Sequence, residues 1–353
     1  MPVRAALGDS PFLAACRGEQ TPFTPVWFMR QAGRSLPEYR ALRVGKAFHE
    51  MLVDPRLAAE VTMQPVRRHG VDAAIFFSDI ITPVQSFVPG VSIEQGRGPV
   101  INEPFRTLHD VDRLRAYDPL IHTPFVADAI RLCVEELDPM GIPLIGFAGA
   151  PFTVATYIVE GGKSKEFEHT KSMMHGEPEV WHALMTALSD IALASLRAQV
   201  AAGASAVQLF DSWAGILSKR EYARFVQPYS ARVFAGLADT GVPRIHFGVG
   251  TGELLGAMGE AGADVVGVDW RVSLPDARER VGKAKALQGN LDPVVLLGRW
   301  DVVRAEIDRV LGEAATAGGG HIFNLGHGVL PQIAPEMLTR CVEYVHSVSG
   351  DKR

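Results

Sequence analysis

The chain has 353 residues, 47 % of them hydrophobic and 21 % charged, with a formal net charge of −5. This composition excludes a mostly disordered chain, and the small negative charge excludes a global basic field for nucleic acid. No apolar run approaches the roughly 18 residues that a membrane helix needs.

The N-terminal stretch MPVRAALGDSPFLAACRGE lacks the unbroken apolar centre of a signal peptide. Cys16, Cys133 and Cys341 are scattered and form no CxxC. An odd, sparse set is expected as buried small hydrophobes in a reducing compartment rather than as a disulfide framework. The expectation is a cytoplasmic protein with no membrane or nucleic-acid partner. No linker divides the chain, so residues 1–353 read as a single domain, with 1–20 a short N-terminal extension.

The first informative segment is PVWFMRQAGRSLPEYR, residues 25–40. An apolar run, VWFM, ends at Arg30, and Ser35 with Glu38 has capping-box spacing that predicts a helix start near Leu36. Arg30 and Arg34 then bracket a tight loop. Their planar forks suit carboxylates or phosphates. Arg40, Arg43 and Lys46 add positive charge nearby.

The next run is AAIFFS (73–78), followed by Asp79. Between Val88 and Ile101, two alternating pieces flank GRG and predict an inserted hairpin. Further apolar runs follow: PLIGFA (143–148), AVQLF (206–210), RIHFG (244–248), VVGVD (265–269), ALQG (286–289) and HIFNL (321–325). Helical segments are expected at Asp54–His69, Pro124–Met140, Lys165–Ala202, Lys219–Thr240, Gly252–Ala261, Asp301–Ala317 and Pro335–Val348. Eight short runs buried on both faces, alternating with helices, predict an α/β fold. The form expected is a single (β/α)8 TIM-type barrel with the hairpin after strand 2. A doubly wound sheet is the structural rival.

In such a barrel, catalytic groups stand where strands end. Those positions hold Arg30, Asp79, Asp211 with Ser212, Asp269, Asn290, and Asn324 with His327. Tyr157 lies in the long segment after strand 3 and is placed to fold over the mouth. Two glycine patterns are decoys. GGKS (161–164) has Tyr157 where a phosphate-binding loop needs its first glycine, and GVGTGELLG (248–256) has Glu253 at the third dinucleotide-loop glycine. The second is expected to form a tight strand-to-helix turn.

WFMRQAGRSLPEYR resembles the signature of the uroporphyrinogen decarboxylase family, enzymes of tetrapyrrole synthesis. The resemblance continues in order through FSDI (77–80), GFAGAPFTVATYIVEG (146–161), FDSWAG (210–215), QGNLDP (288–293) and NLGHG (324–328). It implies a barrel acting as a homodimer, with no metal or organic cofactor. It also implies four decarboxylations that turn the acetates of uroporphyrinogen III into the methyl groups of coproporphyrinogen III. By this resemblance Asp79, Arg30 and Tyr157 are the catalytic candidates. Substrate would be bound by Arg30, Arg34, Tyr157, Ser212 and His327, by the backbone of Gln31, Ala32 and Gly33, and by Phe210 as an apolar wall. A zinc- or corrinoid-linked thiol methyltransferase shares the barrel but needs a His-x-Cys. Here the matching segment is His246-Phe247-Gly248. A non-catalytic tetrapyrrole binder would have no need of Asp79.

Overall fold

Strands buried on both faces must satisfy every backbone polar group through their neighbours. In the computed structural model, which describes residues 7–8, 10–94 and 98–350, the apolar runs do this by pairing in parallel. The strands are β1 (Ala74–Ile75), β4 (Leu144–Gly149), β5 (Ala206–Asp211), β6 (Arg244–Gly248), β7 (Val265–Gly267), β8 (Ala286–Leu291) and β9 (His321–Leu325). They form one seven-stranded sheet in the order β1-β4-β5-β6-β7-β8-β9. The remaining pair, β2 (Val91–Glu94) and β3 (Gly98–Ile101), is antiparallel, with Val91 opposite Ile101 and Glu94 opposite Gly98. Residues 95–97, with most of the GRG turn, lie outside the described residues, as do 1–6 and 9 of the N-terminal extension and the last three residues.

The first apolar run occupies the gap between the sheet's two edges without becoming a regular strand. Only Val26 forms a ladder bridge, to Phe323 on β9. Around it, Phe323 N–H donates to Pro25 O at 2.9 Å and Asp72 N–H donates to Val26 O at 2.8 Å. Side chains supply the rest: Val26 N–H goes to Asp72 Oδ2 (2.7 Å) and Met29 N–H to Asn324 Oδ1 (3.0 Å). The segment thus links β9 to the start of β1.

Proline divides two expected long helices. Lys165–Ala202 is in fact Glu168–Gly176 and Pro178–Ala202. Lys219–Thr240 is Lys219–Phe225, Gln227–Ala235 and a short 3-10 turn, Ala238–Thr240. Pro178 lacks an N–H and pushes Glu177 out of helical geometry (φ −126°, ψ 64°). The helix after Leu36 forms over Pro37–Leu42, but not through the expected capping box. Leu36 is the cap residue and makes no side-chain cap bond, Ser35 Oγ is buried without a partner among the described residues, and Glu38 turns to Arg68 at 2.6 Å. Pro37 at the first helical position sets the start instead.

Inside the sheet runs a buried polar chain. Trp27 Nε1–H donates to Gln288 Oε1 and Gln288 Nε2–H to Gln208 Oε1, both at 3.0 Å. Gln208 and Phe210 alternate to the same face, so this chain lies one layer below the mouth.

Candidate active site

Arg30 is the third residue of a tight turn, Phe28–Gln31, closed by Gln31 N–H donating to Phe28 O (3.0 Å). Its φ is +60°, a left-handed conformation that side chains rarely adopt. The turn is fixed from within. Gln31 is fully buried, its Oε1 accepts Phe28 N–H (2.9 Å) and its Nε2 donates to Ala73 O (3.1 Å). The Gln31 side chain is therefore consumed by the scaffold. The N–H groups of Ala32 and Gly33 have no partner among the described residues. Arg34 is exposed and shares an open groove with Tyr39, Arg40, Arg43 and Lys46.

Asp79 is half-buried beyond the end of β1. Ile81 N–H donates to its Oδ1 (3.0 Å), and its own N–H donates to Thr82 Oγ1 (3.3 Å). No hydrogen bond among the described residues uses Oδ2. Burial pushes the Asp79 carboxyl above its usual range, and the Ile81 N–H and the Arg30 charge act against that rise.

Tyr157 projects from the helix Pro151–Glu160, half-buried, with its ring edge-on to Trp213 (centroids 6.0 Å). Burial raises its phenol pKa, the nearby Trp213 indole N–H and the Arg30 charge oppose that rise, and the Asp79 charge adds to it. His327 lies in the turn after β9, its Nδ1 accepting Gly328 N–H (2.6 Å). Burial pushes the imidazole below its ordinary value, helped by the charges of Arg30 and Arg271 and opposed by Asp269. Arg30 is thus electrostatic neighbour to Asp79, Tyr157 and His327 at once.

The apolar wall is larger than expected. Phe210 on β5 meets Phe147 on β4 (5.3 Å, 90°) and Phe247 on β6 (6.1 Å, 79°), both edge to face. Phe210 and Phe247 are register partners, and Phe247 faces Gly267 on β7. A Cβ on Gly267 would stand 2.7 Å from the Phe247 ring. Phe147 is held where β1 has run out: Gln199 Oε1 accepts its N–H (2.8 Å) and Gln199 Nε2 donates to its carbonyl (2.9 Å). Alternation in β4 and β6 gave a sequence signal for Phe147 and Phe247, each within one residue of its strand's middle and on the inward face.

Other strand-end residues separate by role. Ser212 is half-buried and has no hydrogen bond among the described residues. Asp211, one position earlier, faces the surrounding helices, where it is fully buried and accepts Thr153 Oγ1–H (2.9 Å). Asn324 accepts Met29 N–H and Leu325 N–H, and Asn290 donates to the carbonyls of Asp269 and Val272. These three are structural ties. His246 also faces outward, fully buried, with Nε2 3.7 Å from Asp211 Oδ2. All three cysteines are buried, and burial pushes the thiols of Cys133 and Cys341 up to about 12. A thiol methyltransferase centre built on His246 and these cysteines does not fit.

A family model described as Uroporphyrinogen decarboxylase (URO-D) matches residues 7–348. The chain belongs to the uroporphyrinogen decarboxylase family. A relative in Salinispora tropica named uroporphyrinogen decarboxylase is 58 % identical over 97 % of this chain and 91 % of its own. One of the same name in Nocardia farcinica is 58 % identical over 98 % of both chains. Among solved structures, a methyltransferase from Methanosarcina mazei superposes with a TM-score of 0.77 at 18 % identity, covering 96 % of this chain and 98 % of its own. That likeness is one of fold and supports the barrel architecture of this family.

Proposed function

We infer that the chain is a carboxy-lyase that converts uroporphyrinogen III to coproporphyrinogen III, releasing four molecules of carbon dioxide. The observation that carries this is 58 % identity to relatives of that name across nearly the whole chain. The match over residues 7–348 supports reading the chain as one domain. The same reading takes the enzyme as a cytoplasmic homodimer. No helix among the described residues is long and apolar enough to cross a membrane.

Loss of carbon dioxide leaves an electron pair on carbon, so the reaction needs a sink. A porphyrinogen provides one: a proton added to a pyrrole ring carbon gives an iminium-like cation. As the acetate carboxylate departs, its bonding electrons flow into that cation. The exocyclic double bond formed is then protonated to a methyl group, and loss of the proton first added to the ring carbon restores the aromatic pyrrole. The protein has to hold the macrocycle, deliver protons and offset the cation.

Asp79 suits the last task. Its Oδ2 is free to accept pyrrole N–H bonds, and Oδ1 is anchored by Ile81 N–H. An anion fixed beside developing positive charge stabilises it without reorganisation. Arg30 and Arg34 are assigned to substrate carboxylates, with Ser212, His327 and the Ala32 and Gly33 N–H groups as further donors. Tyr157 sits within the fields of Asp79 and Arg30, suited to donate to a carboxylate or to orient Asp79. The three phenylalanines give the macrocycle an apolar face.

The test is an anaerobic, dark incubation of metal-stripped protein with uroporphyrinogen III, followed by chromatography of the oxidised products. Stepwise appearance of seven-, six- and five-carboxylate species and then coproporphyrin supports the reading. Folded protein that makes none of these, with or without added zinc, overturns it.

A further inference from the structure

Arg30 and Arg34 are not the only cations at the mouth. Arg271 follows β7, and its loop is pinned from three directions. The buried Asp269 accepts Arg271 N–H (2.9 Å) on Oδ1 and Arg271 Nη1–H (3.0 Å) on Oδ2. Asp269 Oδ2 also takes Gly250 N–H from the loop after β6. Asn290 on β8 donates to Asp269 O (3.0 Å) and Val272 O (2.6 Å). The guanidinium carbon lies over Trp270, 3.9 Å from the ring centroid. The loop and one guanidinium nitrogen are therefore fixed before any ligand arrives. Even so, half of the side chain (51 %) is open, and no hydrogen bond among the described residues uses its Nε or Nη2.

Two glycines locate this cation relative to the site. A Cβ on Gly326 would run into the backbone nitrogen of Trp270, and a Cβ on Gly328 would stand 2.5 Å from Arg30 Cδ. The Gly326–His327–Gly328 turn is thus wedged between the Asp269–Arg271 segment and Arg30. His327 has one arginine on each side.

We propose that Arg271 is a substrate-binding residue on the far side of His327 from Arg30, and that its free guanidinium edge holds a propionate of the macrocycle. The proposal rests on the decarboxylase reading. A polycarboxylate spread around a ring needs cations on more than one side of the cleft, and a preset fork is the group that binds a carboxylate best. The partner is a propionate because acetates are consumed. Each pyrrole carries one acetate and one propionate, so only a propionate contact persists through all four steps.

The experiment compares wild type with R271Q and R271K on two substrates, uroporphyrinogen and the pentacarboxylate porphyrinogen, which retains one acetate. It also measures inhibition by coproporphyrinogen, whose carboxylates are all propionates. R271Q is expected to raise KM for both substrates and Ki for coproporphyrinogen, each by roughly tenfold, with kcat little changed. R271K, which keeps the charge and loses the fork, is expected to fall between. Wild-type KM and Ki in R271Q overturn the proposal. So does a fall in kcat with KM unchanged, which marks a prop for Asp269, and so does an effect on KM with no effect on Ki, which marks an acetate contact. If R271Q does not fold, wild-type KM and Ki in R271K overturn it equally. Wild-type protein with no activity overturns the decarboxylase reading itself.

Discussion

Arg30 rests its aliphatic stem against the backbone of Gly328, joining the first apolar run to the turn after the last strand. A Cβ at Gly328 would stand 2.5 Å from Arg30 Cδ, 2.7 Å from Cγ and 3.1 Å from Cβ. The backbone of Gly328 is not in the left-handed region, so alanine is excluded by its neighbour and not by its own φ. Gly328→Ala should push Arg30 away from Asp79 and His327 while leaving the core intact. The expected result is a fall in kcat/KM of about tenfold or more, equivalent to about 1.4 kcal/mol of transition-state stabilisation. The melting temperature should move by only a few degrees. Steady-state rates beside a thermal melt check this, and unchanged rates would mean that Arg30 is not held by this contact.

Asp79 gives a prediction whose activity and stability arms run in opposite directions. Asp79→Asn keeps an oxygen to accept Ile81 N–H but loses the charge, so kcat should fall by about 10²-fold or more. Folding raises the carboxyl's pKa, chiefly by burial. A carboxyl raised in this way contributes its full stability below its unfolded pKa and loses stability as pH rises through the folded value. At neutral pH the ionised group therefore destabilises the fold, and D79N should be at least as stable as wild type in urea. If Asp79 sets the acid limb of kcat/KM, that limb lies above the ordinary carboxylate range. Arg30→Gln should raise it further, because the Arg30 charge holds it down. An acid limb that does not move in R30Q would remove Asp79 from that role.

Much of the candidate site was legible because a barrel puts its chemistry at strand ends, and apolar runs mark strand ends by position alone. Asp79, Ser212 and His327 stand within two residues of the ends of their runs, and Phe210 needs only the alternation of β5. What failed to show was the work of side chains standing in for backbone. Gln199 completes the ladder at Phe147, and Asp72 and Asn324 do so at Val26 and Met29. None of these pairs is near in sequence, so no local pattern reports them. Ser35 and Glu38 show the reverse. Their spacing fits a capping box, but burial of Ser35 and the Glu38–Arg68 ion pair took both groups elsewhere. Arg271 lay two residues past a run already recognised and carried no pattern of its own. Its meaning comes from Asp269 and Trp270 folding around it.

The buried chain from Trp27 through Gln288 to Gln208 predicts a stability effect beneath the mouth. Gln288→Met preserves approximate volume but leaves Trp27 Nε1–H and Gln208 Oε1 without their partners. An unmade buried hydrogen bond costs about 1–3 kcal/mol per stranded group, so the loss for the two groups should be about 2–6 kcal/mol. Urea denaturation at neutral pH reads it directly. A loss under about 1 kcal/mol would show that the barrel interior rehydrates or repacks around the gap.

Two histidines, the buried His69 and the half-buried His321, contribute to the response of the fold to acid. Burial pushes His69 down to about 4, with the Arg68 charge assisting and Glu38 and Glu336 opposing. Burial likewise pushes His321 down to about 4, where its hydrogen bond to Gly289 O opposes the shift and the Arg278 charge assists. The unfolded chain takes up these protons near pH 6.5 and the folded chain does not until about pH 4. Stability should therefore be level with respect to these groups above about pH 7 and decline as pH falls from about 6.5 towards 4. Each histidine contributes up to about 3 kcal/mol to that decline. His69→Gln removes one of the two and offers Thr339 an amide in place of Nδ1. Its urea midpoint should match or fall below wild type at pH 7.5, and the gap should narrow or reverse by pH 4.5. Parallel midpoint curves for the two proteins across that range would show that His69 takes up its proton equally in both states.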